Sequence, residues 1–156
     1  MEENLFDLSG RVVVVTGAAG LLGHQHADAI ASVGGIPVML DLNQDRVEQL
    51  AVELNMHYGV DAAGYAVDIT REEEIEANTQ KLLERFGKID GLVNNAANNP
   101  KVENQDGKNF SRLENFPLEV WNADVVVGLT GAFLCAKHYG KAISMNPYGG
   151  VILNIS

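Results

Sequence analysis

Residues 11–23 read RVVVVTGAAGLLG, a branched apolar run closed by Thr16 and followed by three glycines, Gly17, Gly20 and Gly23, with two residues between each pair. Such a short, uniformly apolar run suits a strand buried on both faces of a sheet. A glycine at its end can take the positive φ of a sharp turn, and a later glycine lets an anion approach the backbone without a side chain in the way. The helix that follows meets that anion with free N–H groups and a partial positive charge. Gly17 is therefore expected to make the turn, Gly20 to face a diphosphate, and Gly23 to let the helix pack close on the strand.

Outward from this stretch, short branched runs alternate with longer segments of helical periodicity, the mark of a parallel sheet covered by helices. A helix is expected from about Leu22 to Val33, stopping at Gly34-Gly35. Pro37–Leu40 then forms a strand ending on Asp41, and Asp45–His57 a helix closed by Gly59. Ala63–Val67 reads as a third strand ending on Asp68-Ile69, before a helix whose start carries a Thr70/Glu73 capping box and which ends at Gly87. Gly91–Val93 is the fourth strand and leads into Asn94-Asn95-Ala96-Ala97. A polar loop follows from Asn98 to Arg112, then one long helix from Pro117 to about Met145 with Asn115 as its cap, and a fifth strand over Gly150–Ile155. The fold class is α/β, a doubly wound parallel sheet.

Composition narrows the partners. The chain has 156 residues, 21 Asp+Glu against 11 Lys+Arg and a formal charge of −10, so phosphate backbones of nucleic acid and anionic membrane surfaces are disfavoured. One cysteine, Cys135, leaves no internal disulfide. The amino-terminal MEENLFDLSG has no basic segment followed by an apolar run, and a cytoplasmic protein is expected.

Asp41 stands at the end of the second strand, where a carboxylate can accept both hydroxyls of an adenosine ribose. A 2′-phosphate in the same place would be repelled by about 4 kcal/mol, taking like charges about 4 Å apart at an effective dielectric near 20. NAD is thus expected over NADP, and no Arg or Lys in the glycine turn reverses the preference.

TGAAGLLG, Asp41, Asp68-Ile69 and Asn94-Asn95-Ala96-Ala97, in this order, resemble the cofactor-side landmarks of the short-chain dehydrogenase/reductase family, and the resemblance covers essentially the whole chain. It implies a Rossmann-type dinucleotide-binding domain over residues 1–156. It implies further that Gly17, Gly20, Leu22 and Gly23 line the pyrophosphate, that Asp41 takes the adenosine ribose, that Asp68 and Ile69 border the adenine, and that Asn95 and Ala96 lie along the nicotinamide ribose. NNAANNPK and VGLTGAFLCAKH are similar to bacterial dehydrogenases associated with surface-polysaccharide or flagellin-sugar modification. Two departures stand out. The main branch of the family usually has glycine where Leu21 stands, and the spacing here is more like the branch acting on nucleotide sugars. The catalytic asparagine usual in the long helix is replaced by Gly128.

In this family a Tyr donates or takes the hydroxyl proton, with a Lys four residues later lowering its pKa. Four residues after Tyr58, Tyr65, Tyr139 and Tyr148 come Ala62, Ile69, Ile143 and Ile152. No catalytic residue is therefore assigned. The sheet is expected to be incomplete after its fifth strand, whose apolar GVILNI would be an exposed edge. The resemblance implies a small alcohol or ketone substrate, including sugars, and a homo-oligomer paired through the long helices. A non-catalytic NAD(H)-binding module and a nucleotide-sugar epimerase or dehydratase are the alternatives. His24 and His26 point about 200° apart on a helix and are not expected to share a metal. Cys135 is expected to be a buried inert thiol, and His138, Tyr139 and Lys141, like Glu72–Glu76, a solvated helix face.

Overall fold

The computed structural model describes residues 5–98 and 112–155. Among these, strands β1 (Val12–Thr16), β2 (Ile36–Asp41), β3 (Ala63–Ala66), β4 (Gly91–Asn94) and β5 (Val151–Asn154) alternate with helices α1 (Leu21–Ser32), α2 (Gln44–Tyr58) and α3 (Glu72–Phe86) and a long helical stretch. That stretch consists of α4 (Leu118–Val125), a π-helical turn (Val126–Gly131) and α5 (Ala132–Ser144). The strands form one parallel sheet in the order β3-β2-β1-β4-β5.

The valine run builds both halves of the core because side chains along a strand alternate between faces. Val12 and Val14, with Val38, Leu40 and Leu92, pack against Ile75 and Leu82 of α3 and Leu134, Cys135, Tyr139 and Ile143 of α5. Val13 and Val15, with Met39 and Val93, pack against Ala27 and Ala31 of α1 and Val47, Leu50 and Leu54 of α2. From β1 the chain moves outward through β2 and β3, then returns to the other side for β4 and β5. This reversal opens a crevice above the carboxyl ends of β1 and β4, the place where open α/β sheets bind ligands.

The opposite end of the same strand pair is tied by Asp90, which is 6% exposed. Its carboxylate accepts the Val12 N–H at 2.9 Å and meets Arg11 Nη1 and Lys88 Nζ at 3.0 Å each. Burial pulls this carboxyl upward, but the Val12 amide and the two cations hold it below its ordinary value.

Helix boundaries correct several expectations. Asn43 caps α2, accepting the Arg46 N–H at 3.1 Å. Thr70 does not cap α3: its N–H and hydroxyl both donate to Asp68 Oδ1, at 2.9 and 2.7 Å, and the carboxylate that reaches back is Glu74, which accepts the Asp68 N–H at 2.8 Å. The turn closed by Asp68 satisfies these donors first and moves the cap to Arg71. Asn115 does not cap the long helix either; it lies in a 3₁₀ turn, Leu113–Asn115, and the boundary is Pro117, whose ψ of 136° is extended. The long helix is not uniform, since the π-helical turn inserts a residue between α4 and α5.

The solvated face expected on α5 is also corrected. Tyr139 is fully buried, donating to Asn78 Oδ1 at 2.9 Å, and burial raises its phenol well above the ordinary value. His138 and Lys137 meet Glu72 Oε1 at 2.8 and 2.5 Å, which links α5 to α3 and lowers the Glu72 pKa, the Lys137 bond contributing most. Cys135 is buried, its thiol pushed up to about 12 by desolvation. No three His, Cys, Asp or Glu side chains among the described residues come together as a metal site. Leu118–Ser144 is, by length and composition, the one described helix that reaches the span of a bilayer. Of its apolar groups, Leu134, Cys135, Tyr139 and Ile143 pack on the sheet, whereas Leu118, Trp121, Leu129 and Phe133 are exposed. Among the described residues β5 pairs with β4 alone and its four residues are all exposed, so it forms the apolar edge expected from its sequence.

Asp90→Asn should lower stability by about 2 kcal/mol near neutral pH, since the Val12 amide and two cations lose a charged acceptor. Because the folded pKa is depressed, this contribution is present above the unfolded carboxylate value, about 3.9, and lost as pH falls through the folded value. Urea unfolding should show the gap between wild type and variant closing below about pH 4; a gap independent of pH contradicts the assignment.

Candidate dinucleotide site

The crevice is a cleft of about 540 Å³. Its floor is the turn after β1, where Gly17 has a φ of 64°. A Cβ at Gly17 would lie 2.8 Å from Ala96 Cα, so both the positive φ and the close approach of β4's end require glycine. The approach is fixed by Thr16, whose hydroxyl accepts the N–H of Asn95 at 3.0 Å and of Ala96 at 3.1 Å. Asn95 returns its side-chain Nδ2 to the carbonyls of Thr16 at 3.0 Å and Gly17 at 3.3 Å.

Gly20 ends the turn as the N-cap of α1 and offers no side-chain hydrogen bond to the helix, so the first-turn amides remain for solvent or a ligand. Asp41 closes one side. Its Oδ2 accepts the Ala19 N–H at 3.0 Å and its Oδ1 the Asn43 N–H at 3.2 Å, which fixes the carboxylate between the turn and the end of β2. Asp68 is held by Thr70, and Ile69 packs against Gly131, where a Cβ would come within 2.7 Å of the isoleucine Cδ1.

Of the nine residues singled out from the sequence, Gly17, Gly20, Leu22, Asp41, Asp68, Ile69, Asn95 and Ala96 line this one cleft. Gly23 does not. It is buried behind the turn, where a Cβ would fall 2.2 Å from the Gly17 carbonyl oxygen and 2.7 Å from Ala18 Cα, so it sets the spacing of α1 from β1. Asn95 spends its Nδ2 on the glycine turn, a positioning role that the motif alone does not reveal. Thr16, Leu21 and Val127 belong to the site but were not singled out. Thr16 is legible as the polar end of the valine run; Val127 carries no local signal, because the π-helical turn brings it to the cleft. Gly128 lines a separate apolar groove with Trp121 and Leu129. The loop expected between Asn98 and Arg112 lies outside the described residues from 99 to 111.

The titratable lining of the cleft is Asp41 and Asp68, with no Lys, Arg, His, Tyr or Cys among the described residues. A bare turn, an uncapped helix start for an anion and a fixed carboxylate for hydroxyl donors fit a dinucleotide.

A family model described as short chain dehydrogenase matches residues 11–156, and the chain belongs to that family. It is 31% identical over 151 residues to D-threitol dehydrogenase of Mycolicibacterium smegmatis, covering 97% of this chain and 54% of that one. Among solved structures it is similar to NAD+-bound xylitol dehydrogenase, with a TM-score of 0.82, 28% identity and coverage of 94% and 53% of the two chains. It is also similar to NADPH-dependent 3-quinuclidinone reductase from Rhodotorula rubra, with a TM-score of 0.78, 26% identity and coverage of 96% and 53%. The chain thus spans about half the length of the relatives it matches, and those relatives include both NAD and NADP complexes.

Gly23→Ala should cost about 1–3 kcal/mol through overpacking, measured by chemical denaturation. Gly128→Ala, where a Cβ meets nothing within 4 Å, should leave stability within about 1 kcal/mol of wild type. Equal effects would show that the turn yields freely.

Proposed function

We propose that this chain is the NAD-binding part of an oxidoreductase acting on an alcohol or ketone, with sugars and polyols as the substrate class. The observation that carries the cofactor preference is Asp41, fixed by the Ala19 and Asn43 amides at the cleft edge, with no Lys or Arg among the described residues that line the cleft. The polyol class rests on the similarity to threitol and xylitol dehydrogenases. A bound nicotinamide dinucleotide supplies hydride chemistry at its ring. The chain's own residues bind and orient: Gly17 and Gly20 keep the diphosphate path clear, α1 offers its first amides, Asp41 accepts ribose hydroxyls, Asp68 and Ile69 border the adenine, and Asn95 and Ala96 form the wall toward the nicotinamide end.

None of the four tyrosines is followed four residues later by lysine, so turnover depends on a Tyr and Lys supplied outside these 156 residues. The same observation favours a second reading, an NAD(H)-binding module without turnover. A reading frame continuing into Tyr-x-x-x-Lys, matched by intact mass, decides for the enzyme. A mass of 16.8 kDa with NADH binding decides for the module.

The charge of −10 disfavours nucleic acid and anionic membrane surfaces as partners. The exposed apolar face of α4, with a groove of about 460 Å³ beside Trp121 and Leu129, is read as the contact with a second copy.

Titration followed by nicotinamide fluorescence should show NADH binding and NADPH weaker by about a thousandfold, the equivalent of about 4 kcal/mol. Asp41→Ser should narrow that gap, and preference for NADPH in the wild type would sink the reading. Light scattering should report a dimer or larger species; a monomer at micromolar concentration argues against pairing through α4.

A further inference from the structure

From Gly17 to Gly20 the turn carries no side chain larger than a methyl group, yet the next residue is leucine. Leu21 opens α1, lines the cleft and is 84% exposed, so nothing in the described chain covers its isobutyl group. It stands beside the uncapped amides of the first helical turn, where the helix start favours an anion and no acidic residue in that turn opposes it. An apolar group this exposed beside polar donors gains nothing from the fold itself. It gains only if something settles in the cleft beneath it.

Resting on the dinucleotide reading above, we propose that Leu21 is an apolar lid over the diphosphate. When the ligand binds, the isobutyl group lies against it and shuts water out of the contact between the phosphates and the α1 amides. Two effects then add. Apolar surface leaves water, and the attraction between the anion and the helix start acts at a lower local dielectric, less screened by salt.

The test compares the full chain with Leu21→Ala, which removes the lid but keeps a helix-forming residue, and Leu21→Met, which restores apolar bulk. NADH is the probe, titrated at low and high salt, with unfolding midpoints measured in its absence. Leu21→Ala should bind NADH roughly tenfold more weakly, and its affinity should fall more steeply with salt than that of wild type. Leu21→Met should stay within about twofold of wild type, and neither variant should shift the ligand-free midpoint by more than about 0.5 kcal/mol. Wild-type binding with Leu21→Ala equal or tighter, or with the same salt slope, overturns the lid alone. No NADH binding by the wild type overturns the dinucleotide reading and the lid with it.

Discussion

The site depends on one hydroxyl. Thr16 Oγ1 accepts two consecutive amides, Asn95 and Ala96, from the end of β4 while standing at the end of β1. Two central strands leave the sheet at this point toward different helices, and without a shared acceptor their first residues would be solvated separately. The two hydrogen bonds draw the glycine turn so near Ala96 that residue 17 has no room for a Cβ. The direction of α1, and hence where its amides point, follows from that closeness. Asp41 applies the same logic on the other flank, engaging Ala19 of the turn from the end of β2. The cleft is thus walled by backbone held in place by a few side chains.

Much of this was legible in the chain because the signals were redundant. The valine run could be placed centrally since it is apolar at every position, and Val12/Val14 and Val13/Val15 indeed divide between the two layers. Landmarks at strand ends, Asp41, Asp68 and Asn95, could be placed because a parallel sheet brings all its carboxyl ends to one side. What failed was local competition. Thr70 with Glu73 offered the capping-box spacing, but the Asp68 carboxylate claims the Thr70 amide and hydroxyl, and Glu74, which no such spacing singles out, takes the Asp68 amide. Tyr139 was misplaced because its polar neighbours His138 and Lys141 were read with it as one solvated face, although Cys135, Tyr139, Ala142 and Ile143 recur at helical spacing along the buried side of α5. The extra residue of the π-helical turn resets which positions face the sheet, and no residue type announces it.

The division of labour between the ends of the sheet is also physical. At the amino end of β1, Asp90 is used for stability, its charge neutralised by Arg11 and Lys88. At the carboxyl end, among the described residues, Asp41 and Asp68 accept uncharged donors: the Ala19, Asn43 and Thr70 amides and the Thr70 hydroxyl. Both stand at the cleft, and no cation lines it among the described residues. Membership of the short-chain dehydrogenase family gives this asymmetry a purpose, since the ligand such domains hold is rich in hydroxyls at one end and anionic in the middle.

The π-helical turn has an effect on what the long helix tolerates. Each residue added or removed in an α-helix rotates everything beyond it by about 100°. Residues 126–131 are therefore a phase adjuster: upstream, Trp121 looks away from the sheet, and downstream, Tyr139 looks into it. Losing one codon there would turn the buried stripe of α5 outward while every side chain stayed the same. The register of α5 on the sheet thus depends on how many residues this segment holds, and not on their types alone.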